Sequence, residues 1–365
     1  MPRPLQDFMF HSSSYTVESV TSGHPDKVCD QISDAILDAY LVQDPQSRVA
    51  VESFGGHGLL VIGGEVTSRG SVDAEAIARQ VYRDIGYADD LRVITNIVQQ
   101  SPDIAQGVDT GGAGDQGIMY GYATNETLEY LPRALVLAHG LSSGLERLRK
   151  SGELGWLRPD GKTQVTVRDG KLETILVSTQ HAAEVAQEEI REKLIEKLIR
   201  PAVENQKSLD RARDDGYEVL VNPTGKFEQG GFFADTGLTG RKIMVDTYGG
   251  LAPHGGGAFS GKDATKVDRS AAYMARFVAK NIVANGLADE CLVSVAYAIG
   301  RAEPVMVQAV DGKGEVISAG MLSKFDFRPQ AIIERLGLRS PIFKQTAAYG
   351  HFGKAGLPWE QIIGF

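Results

Sequence analysis

The chain has 365 residues, of which 42 are glycine. This fraction is higher than the average glycine content of proteins, which is about 7%. With only 14 prolines and 42% hydrophobic residues, this surplus fits neither a collagen-like nor a low-complexity sequence, so the chain is globular. A net charge of -9 argues against a general nucleic-acid or anionic-membrane surface. Any bound anion must therefore meet a local concentration of positive charge.

Two cysteines, Cys29 and Cys291, are too few for a disulfide framework, and no Cys/His spacing suggests zinc. We expect buried free thiols. The sequence has no signal-type apolar segment at its start and no apolar run long enough to span a membrane. These features together favour a cytoplasmic location.

The first third of the chain predicts the element order β-α-β-β-α-β. A strand at 14–20 precedes a helix that begins at Pro25, the position that proline favours in a helix. Strands at 48–54 and 59–67, a helix near 73–86 and a strand near 91–99 follow. The apolar face of the first helix consists of Val28, Ile32, Ile36, Leu37 and Tyr40.

The same order of elements recurs twice. The second unit has a strand at 117–123, a helix at 131–150, a hairpin across 163–178, a helix at 183–200 and a strand at 217–222. The third has a strand at 242–248, a helix at 266–285, a hairpin from 290 onward and a helix near 327–337. This predicts an α+β fold of split β-α-β units at 1–110 (with an N-terminal extension), 111–235 and 236–365, which we expect to exchange segments.

The glycines concentrate in the connections, at 55–64, 107–121 and above all 225–261. Residues 101–117 have no apolar periodicity and predict a mobile loop. Glycine is needed where the backbone approaches a ligand closely or takes a positive φ. The glycine distribution therefore indicates where to look for a site.

The segment GGGAFSGKDATK at 255–266 nearly matches a P-loop, but Asp263 stands where Ser or Thr would hold Mg²⁺. Its backbone N–H groups and nearby cations still suit a phosphate. Arg241 and Lys242 precede it, and Lys266, Arg269 and Arg276 follow. The alternative is an ordinary glycine loop before a helix with a solvated charged face, to which we assign Arg269 and Arg276.

The tetrad His24-Pro25-Asp26-Lys27 opens the first helix. Its free N–H groups, with His24 and Lys27, could bind an anion, and Asp26 could bind a divalent cation. Alternatively, His24 is only an N-cap and Asp26 an acid that favours the helix dipole. Among the acids near glycine turns, Glu52 and Glu65 lie in apolar strands, where an unpaired charge is costly. A G-x-S-x-G match at 140–144 lies in a helical pattern and is discarded as a nucleophile elbow.

Several segments resemble the methionine adenosyltransferase (S-adenosylmethionine synthetase) family. They include GAGDQGIMYGY at 112–122, GGAFSGKD at 256–263, GHPDK at 23–27, RPDGKTQV at 158–165 and GLTGRKIMVDTYGG at 237–250. The resemblance runs from about residue 15 to 353. It implies three units related by a pseudo-threefold axis and the conversion of ATP and L-methionine to S-adenosylmethionine, with hydrolysis of the triphosphate to phosphate and pyrophosphate. It also implies two Mg²⁺ ions per site, K⁺, and a homodimer or dimer of dimers with sites at the subunit interface.

The resemblance also implies roles for individual residues. Those implied to act on the triphosphate during catalysis are His24, Lys162, Arg241, Lys242 and Lys262. ATP contacts are further implied for Asp160, Gly161, Lys226, Phe227, Asp235 and Ala258. Methionine contacts are implied for Glu65, Gln100, Asp115, Asp235 and Lys266. The implied metal ligands are Asp26 and Asp268 for Mg²⁺ and Glu52 for K⁺.

A thioether sulfur has no proton to lose, so this reaction requires charge stabilisation and in-line positioning rather than a general base. The chain departs from the family in a short connection before GAGDQG, in several extra N-terminal residues and in an early end. Two other functions stay open on the sequence, a P-loop phosphotransferase built around Lys262 and a catalytically silent nucleotide-binding subunit.

Overall fold

The computed structural model of the protein describes residues 14–100, 111–206 and 216–364. The N-terminal extension and most of the loop expected at 101–117 lie outside this part of the chain. The β-α-β-β-α-β order of the first third is confirmed. Its elements are β1 (Ser14–Val20), α1 (Pro25–Gln43), β2 (Arg48–Gly56), β3 (Leu59–Thr67), α2 (Ala74–Ile85) and β4 (Arg92–Gln99). The predicted apolar face of α1 is fully or almost fully buried.

The middle of the chain also follows the predicted order. Its elements are β5 (Gly117–Thr124), α3 (Arg133–Lys150), β6 (Leu157–Arg168), β7 (Lys171–His181), α4 (Gln187–Leu194), α5 (Arg200–Glu204) and β8 (Glu218–Val221). A π-helical turn, Ile195–Ile199, joins α4 to α5, so the helix predicted at 183–200 begins later and is irregular. The G-x-S-x-G match lies inside α3, as predicted, and its buried Ser142 hydroxyl is hydrogen-bonded to Thr163 at 2.8 Å.

The last third contains one element of the wrong type. Its elements are α6 (Gly231–Ala234), β9 (Gly237–Leu238), α7 (Ile243–Asp246), α8 (Val267–Ala284), β10 (Glu290–Tyr297), β11 (Met306–Asp311), α9 (Ala319–Leu322) and α10 (Pro329–Arg335). The strand predicted at 242–248 is the short helix α7. A brief apolar run does not distinguish strand from helix. In the helical turn, Asp246 contacts the buried Lys27 ammonium at 2.5 Å.

The structure contains three sheets, and each includes one edge strand that comes from a distant part of the chain. The strand orders are β4-β3-β2-β9, β1-β6-β7-β8 and β11-β10-β5, which we call the first, second and third sheets. In each sheet this exchanged strand (β9, β1 or β5) is antiparallel to the first strand of a hairpin. In the first and second sheets another strand lies parallel to the second hairpin strand. The repeated pattern agrees with the predicted α+β class of three related units.

Helices cover the inner faces of these sheets. The larger apolar cluster joins α1, α2 and α8 to the first and third sheets, while a second cluster packs α3 and α4 against the second sheet. Cys29 and Cys291 are both free and buried, as predicted. Across the described residues, no helix combines the length and the apolar character needed to cross a membrane.

The expectation that Arg269 and Arg276 lie on a solvated face of α8 is wrong, because both side chains are fully buried. Arg269 donates to both oxygens of Asp34, at 2.6 and 2.8 Å. Arg276 donates to both oxygens of Glu360, each at 3.0 Å, and to backbone carbonyls. Helical periodicity alone could not reveal these partners, since each lies far away in sequence.

Candidate active site

The amino end of α1 is the centre of the candidate site. Pairing of β1 with β6 sets Val20 opposite Lys162, and the Thr21 N–H donates to the Gly161 carbonyl at 2.9 Å. The turn that leads to His24 therefore lies against the start of β6. Strand exchange thus brings two segments together that are about 140 residues apart in the sequence.

His24 is buried and caps α1, with its Nδ1 accepting from the Asp26 N–H at 3.2 Å. Burial, with the positive charges of Lys242 and Lys162, lowers the pKa of His24 to about 3, against the opposing effect of Asp26. The imidazole is therefore neutral at physiological pH. It can offer its remaining ring nitrogen to a ligand without carrying a charge.

Asp26 connects α1 to the segment that carries Arg241 and Lys242. Its carboxylate accepts from Lys242 Nζ at 2.6 Å and from the Leu238 N–H at 3.0 Å, and Arg241 Nε lies at 3.4 Å. Burial raises the pKa of Asp26, but the bonds from Lys242 and Leu238 outweigh that effect, so the net shift is downward. A Cβ at Gly237 would overlap the Pro25 backbone, so glycine is required for this close approach.

Asp160, Gly161 and Lys162 form the second wall. Asp160 is buried, and its carboxylate accepts from the Gly231 N–H at 2.9 Å. Burial raises its pKa to about 6, although the Gly231 and Gly161 N–H groups and the Lys162 charge oppose the rise. The side chain of Lys162 is exposed towards the cluster that holds His24.

The segment with Lys226 and Phe227 is held by the end of β7. The Phe227 N–H donates to His181 Nε2 at 3.1 Å, and the His181 N–H donates to the Phe227 carbonyl at 2.9 Å. Lys226 is exposed, with its ammonium 3.2 Å from Glu228. Further along, Asp235 is exposed and lies close enough to Asp160 to raise its pKa.

The glycine-rich segment at 255–263 runs along the part of the β2 edge that β9 does not cover. The Val51 N–H donates to the Gly261 carbonyl and the Asp263 N–H to the Val49 carbonyl, each at 3.0 Å, with Lys262 paired to Ala50. This differs from a P-loop, because no strand leads into the glycines. Gly261 has a φ of 80°, and a Cβ there would overlap the Val51 carbonyl.

Two ion pairs lie on this segment. Lys262 Nζ is 2.7 Å from Asp268, and Lys266 Nζ is 2.6 Å from Asp263. Ala258 packs against Gly240, two residues before Lys242, so the segment adjoins the Asp26 cluster. The structure therefore gathers the cations of three distant segments around β2 and α1.

Glu52, Glu65 and Gln100 lie along the outer face of the first sheet. The Gln100 amide donates to Glu65 at 3.0 Å, and both Glu52 and Glu65 line a shallow groove that Leu238 also borders. Asp115 is exposed in the loop before β5, where Gly117 comes near Asp268. These acids lie at the rim of the cationic cluster rather than inside it.

The expectation that Lys27 could bind an anion is wrong, because Lys27 belongs to a group of buried charges that support the site. Lys27 donates to Asp30 at 2.8 Å and to Asp246 at 2.5 Å, and all three side chains are buried. Burial lowers the pKa of Lys27, but the two carboxylates outweigh it, and the net shift is upward. The sequence does contain a signal for this pair. Asp30 lies three residues after Lys27 on a helix face that is otherwise apolar, and a buried lysine without a counter-ion would be costly there.

In the described ranges, no three His, Cys, Asp or Glu side chains converge as a ready-made metal site. Asp26 and Asp268 instead offer single carboxylates beside lysines. Mg²⁺ often takes only one or two carboxylates together with substrate phosphates and water. The arrangement therefore fits a metal that arrives with a polyphosphate.

Comparison with known proteins decides the family. Models of the N-terminal, central and C-terminal domains of S-adenosylmethionine synthetase match residues 12–102, 110–227 and 229–361. The chain belongs to the S-adenosylmethionine synthetase family. An S-adenosylmethionine synthase from Petrotoga mobilis is 50% identical over 95% of this chain and 96% of its own length. Proteins of the same name from Pseudothermotoga lettingae and Mesoplasma florum are 52% and 51% identical over 95% of this chain.

Proposed function

We propose that this member of the S-adenosylmethionine synthetase family is a methionine adenosyltransferase that converts ATP and L-methionine to S-adenosylmethionine. The observation that carries the proposal is the cationic cluster at the amino end of α1. There Lys162 and Lys242 lie near the neutral His24, Arg241 lies beside Asp26, and Lys262 lies on the adjoining glycine segment. Such an array suits a triphosphate better than a single phosphate.

In the reaction, the methionine sulfur forms a bond to C5′ of the ATP ribose while the C5′–O5′ bond breaks. The electron pair leaves with the triphosphate. Lysine and arginine side chains at that oxygen stabilise the charge that grows there, and His24 offers a ring nitrogen beside it. The free triphosphate, still held by the same cations, is then hydrolysed to phosphate and pyrophosphate.

We place ATP between β6 and the segment at 226–242. Lys226 and Phe227 border the adenine, Asp160, Gly161 and Asp235 line the path to the phosphates, and Ala258 adjoins them. Methionine lies at the rim, where Glu65, Gln100, Asp115, Asp235 and Lys266 offer partners for its amino and carboxyl groups. The bond between Gln100 and Glu65 orients one such partner.

Asp26 and Asp268 would hold two Mg²⁺ ions, and the exposed Glu52 carboxylate would hold K⁺. The metals, when bound, neutralise the polyphosphate and favour departure of the triphosphate. Lys242 and Lys262 pair with these two aspartates. Each lysine can exchange its aspartate for a phosphate oxygen, which frees the carboxylate for a metal.

We further propose a homodimer, or a dimer of dimers, with the outer face of the first sheet in the interface. Phe54, Ile94 and Val98 are exposed on β2 and β4, with 41%, 40% and 55% of their surfaces accessible. Large apolar side chains grouped on one sheet face are typical of a partner surface. The two buried free thiols support a reducing, cytoplasmic compartment.

One assay tests the proposed function. Purified protein is incubated with ATP, L-methionine, Mg²⁺ and K⁺, and S-adenosylmethionine, phosphate and pyrophosphate are measured together. We expect the three products in equal amounts. A phosphotransferase would leave adenosine attached to its phosphates, and a silent subunit would bind ATP without releasing triphosphate products.

The pKa of Asp160 predicts an acidic limb in the pH dependence of kcat/KM for ATP. The carboxylate is charged above about pH 6 and becomes protonated below it, which weakens its bond to the Gly231 N–H. We therefore expect kcat/KM to fall as the pH decreases through about 6. His24 adds no limb in this range, because its pKa is about 3. In Asp160→Asn this limb should disappear.

Asp38→Asn is the matched control. Burial also raises the pKa of Asp38 to about 6, although the Lys344 and Phe343 N–H groups oppose the rise. These partners lie away from the cationic cluster, so the Asp38 variant should retain the acidic limb. An unchanged limb in Asp160→Asn would contradict the assignment.

A further inference from the structure

Ser22, two residues before His24, is held by three separate bonds. Its N–H donates to the Tyr349 hydroxyl at 3.1 Å, and its own hydroxyl donates to Glu146 at 3.0 Å. The Gln31 side chain donates to its carbonyl at 2.7 Å. The turn that presents His24 is therefore tied to α1, to α3 and to the loop near the carboxyl end of the chain.

The direction of the bonds through Tyr349 is fixed. Its hydroxyl donates its single proton to Glu146 Oε2 at 2.6 Å. Towards Ser22 the hydroxyl oxygen therefore acts as the acceptor, and the Ser22 N–H is the donor. Burial raises the pKa of Tyr349, and the neighbouring Glu146 raises it further, which keeps the hydroxyl protonated. Burial alone would raise the pKa of Glu146, but bonds from Lys150 and Tyr349 outweigh it, so the carboxylate stays charged.

The backbone at Tyr349 has an unusual conformation for a residue with a side chain. Its φ is 59°, in the left-handed region, and Gly350 follows with a φ of 78°. Such a conformation costs free energy and persists only where the surroundings enforce it. Here Lys354 Nζ donates to the Gln345 and Ala348 carbonyls at 2.8 and 2.6 Å, and His139 packs against Gly350.

The same loop also contacts the other side of the cationic cluster. The His351 N–H donates to the carbonyl of Asp246 at 2.9 Å, and the Asp246 N–H donates in turn to the Lys242 carbonyl at 2.9 Å. One loop thus contacts the turn before His24 and the short helix after Lys242. Neither contact reaches the proposed position of the triphosphate directly.

We propose that Tyr349 is a positioning residue, whose hydroxyl, oriented by Glu146, holds Ser22 and thereby sets the position of His24 against the triphosphate. This inference rests on the proposed function. Because His24 acts on charge that grows as the triphosphate leaves, its displacement lowers kcat more than it changes KM.

The test is Tyr349→Phe, which removes one hydroxyl and retains the ring. We expect kcat to fall about ten- to hundredfold, since a misplacement of a catalytic group by about 1 Å can cost up to about a hundredfold. KM for ATP should change less than threefold. In a His24→Asn background, where asparagine preserves the helix cap, the same substitution should change kcat less than twofold, because Tyr349 acts through His24.

Tyr297→Phe is the matched control. It also removes a buried hydroxyl with one short bond, to the Phe327 carbonyl at 2.6 Å, but in the third sheet. It should lower the unfolding temperature about as much as Tyr349→Phe and leave kcat within twofold. Glu146→Gln, which retains one acceptor, should give an intermediate loss and serves as the second variant.

The outcomes separate the two proposals. Absence of S-adenosylmethionine from the wild-type assay contradicts the proposed function, and the positioning role with it. If the wild type is active, either of two results contradicts the positioning role alone. In one, Tyr349→Phe keeps its kcat; in the other, it loses as much in the His24→Asn background as in the wild type.

Discussion

Replacing Lys262 with methionine should lower kcat by about 10²- to 10³-fold, the usual loss when one group that stabilises transition-state charge is removed. Methionine retains the length of the side chain but supplies no charge to the departing triphosphate. The backbone pairing of Lys262 with Ala50 does not depend on the side chain, so the fold should survive. Steady-state kinetics and the elution volume in size-exclusion chromatography measure the two effects.

Lys313→Met is the control for this experiment, since Lys313 lies in an exposed turn after β11. Its kcat should match that of the wild type. Turnover by Lys262→Met within a few-fold of the wild type would remove Lys262 from the proposed set of triphosphate ligands. A changed elution volume would instead show that Lys262 supports the assembly.

Replacing Arg269 with methionine should lower the free energy of unfolding by about 3–5 kcal/mol, because it leaves the Asp34 carboxylate buried without its counter-ion. Both side chains are fully buried and joined by two bonds, at 2.6 and 2.8 Å. Asp34 also accepts from the Gly261 N–H at 2.8 Å, so the glycine-rich segment should loosen too. Denaturant unfolding measures the change.

Two comparisons test the reason for this loss. Arg79→Met breaks a surface pair with Glu75 on α2, at 2.8 Å, and should change stability little because water solvates both charges. Arg269→Met combined with Asp34→Asn should recover part of the loss, since no charge is then left without a partner. If Arg269→Met destabilises no more than Arg79→Met, the buried pair contributes nothing beyond a surface pair.

Much of the fold could be predicted because periodicity is a local property. The apolar face of α1, the hairpins and the helix α8 each repeat their pattern over eight or more residues. The strand predicted at 242–248 was wrong because its apolar run is too short to distinguish a strand from a helix. The ion pair of Asp246 with Lys27, which lies far away in sequence, was also not visible in the local pattern. Arg269 and Arg276 were misplaced for a related reason, since Asp34 and Glu360 lie far from them in sequence.

Long motifs in a fixed order indicate the family from the sequence, and they locate the glycines and cations from which the candidate site is built. The sequence by itself could not determine which segments meet. That was decided by the exchange of β1, β5 and β9 between sheets, which sets His24 against β6 and Asp26 against Lys242. It was also decided by the loop that contains Tyr349. The physical reason is that strand pairing and buried charge pairs depend on partners distant in the chain, whereas sequence patterns record only near neighbours.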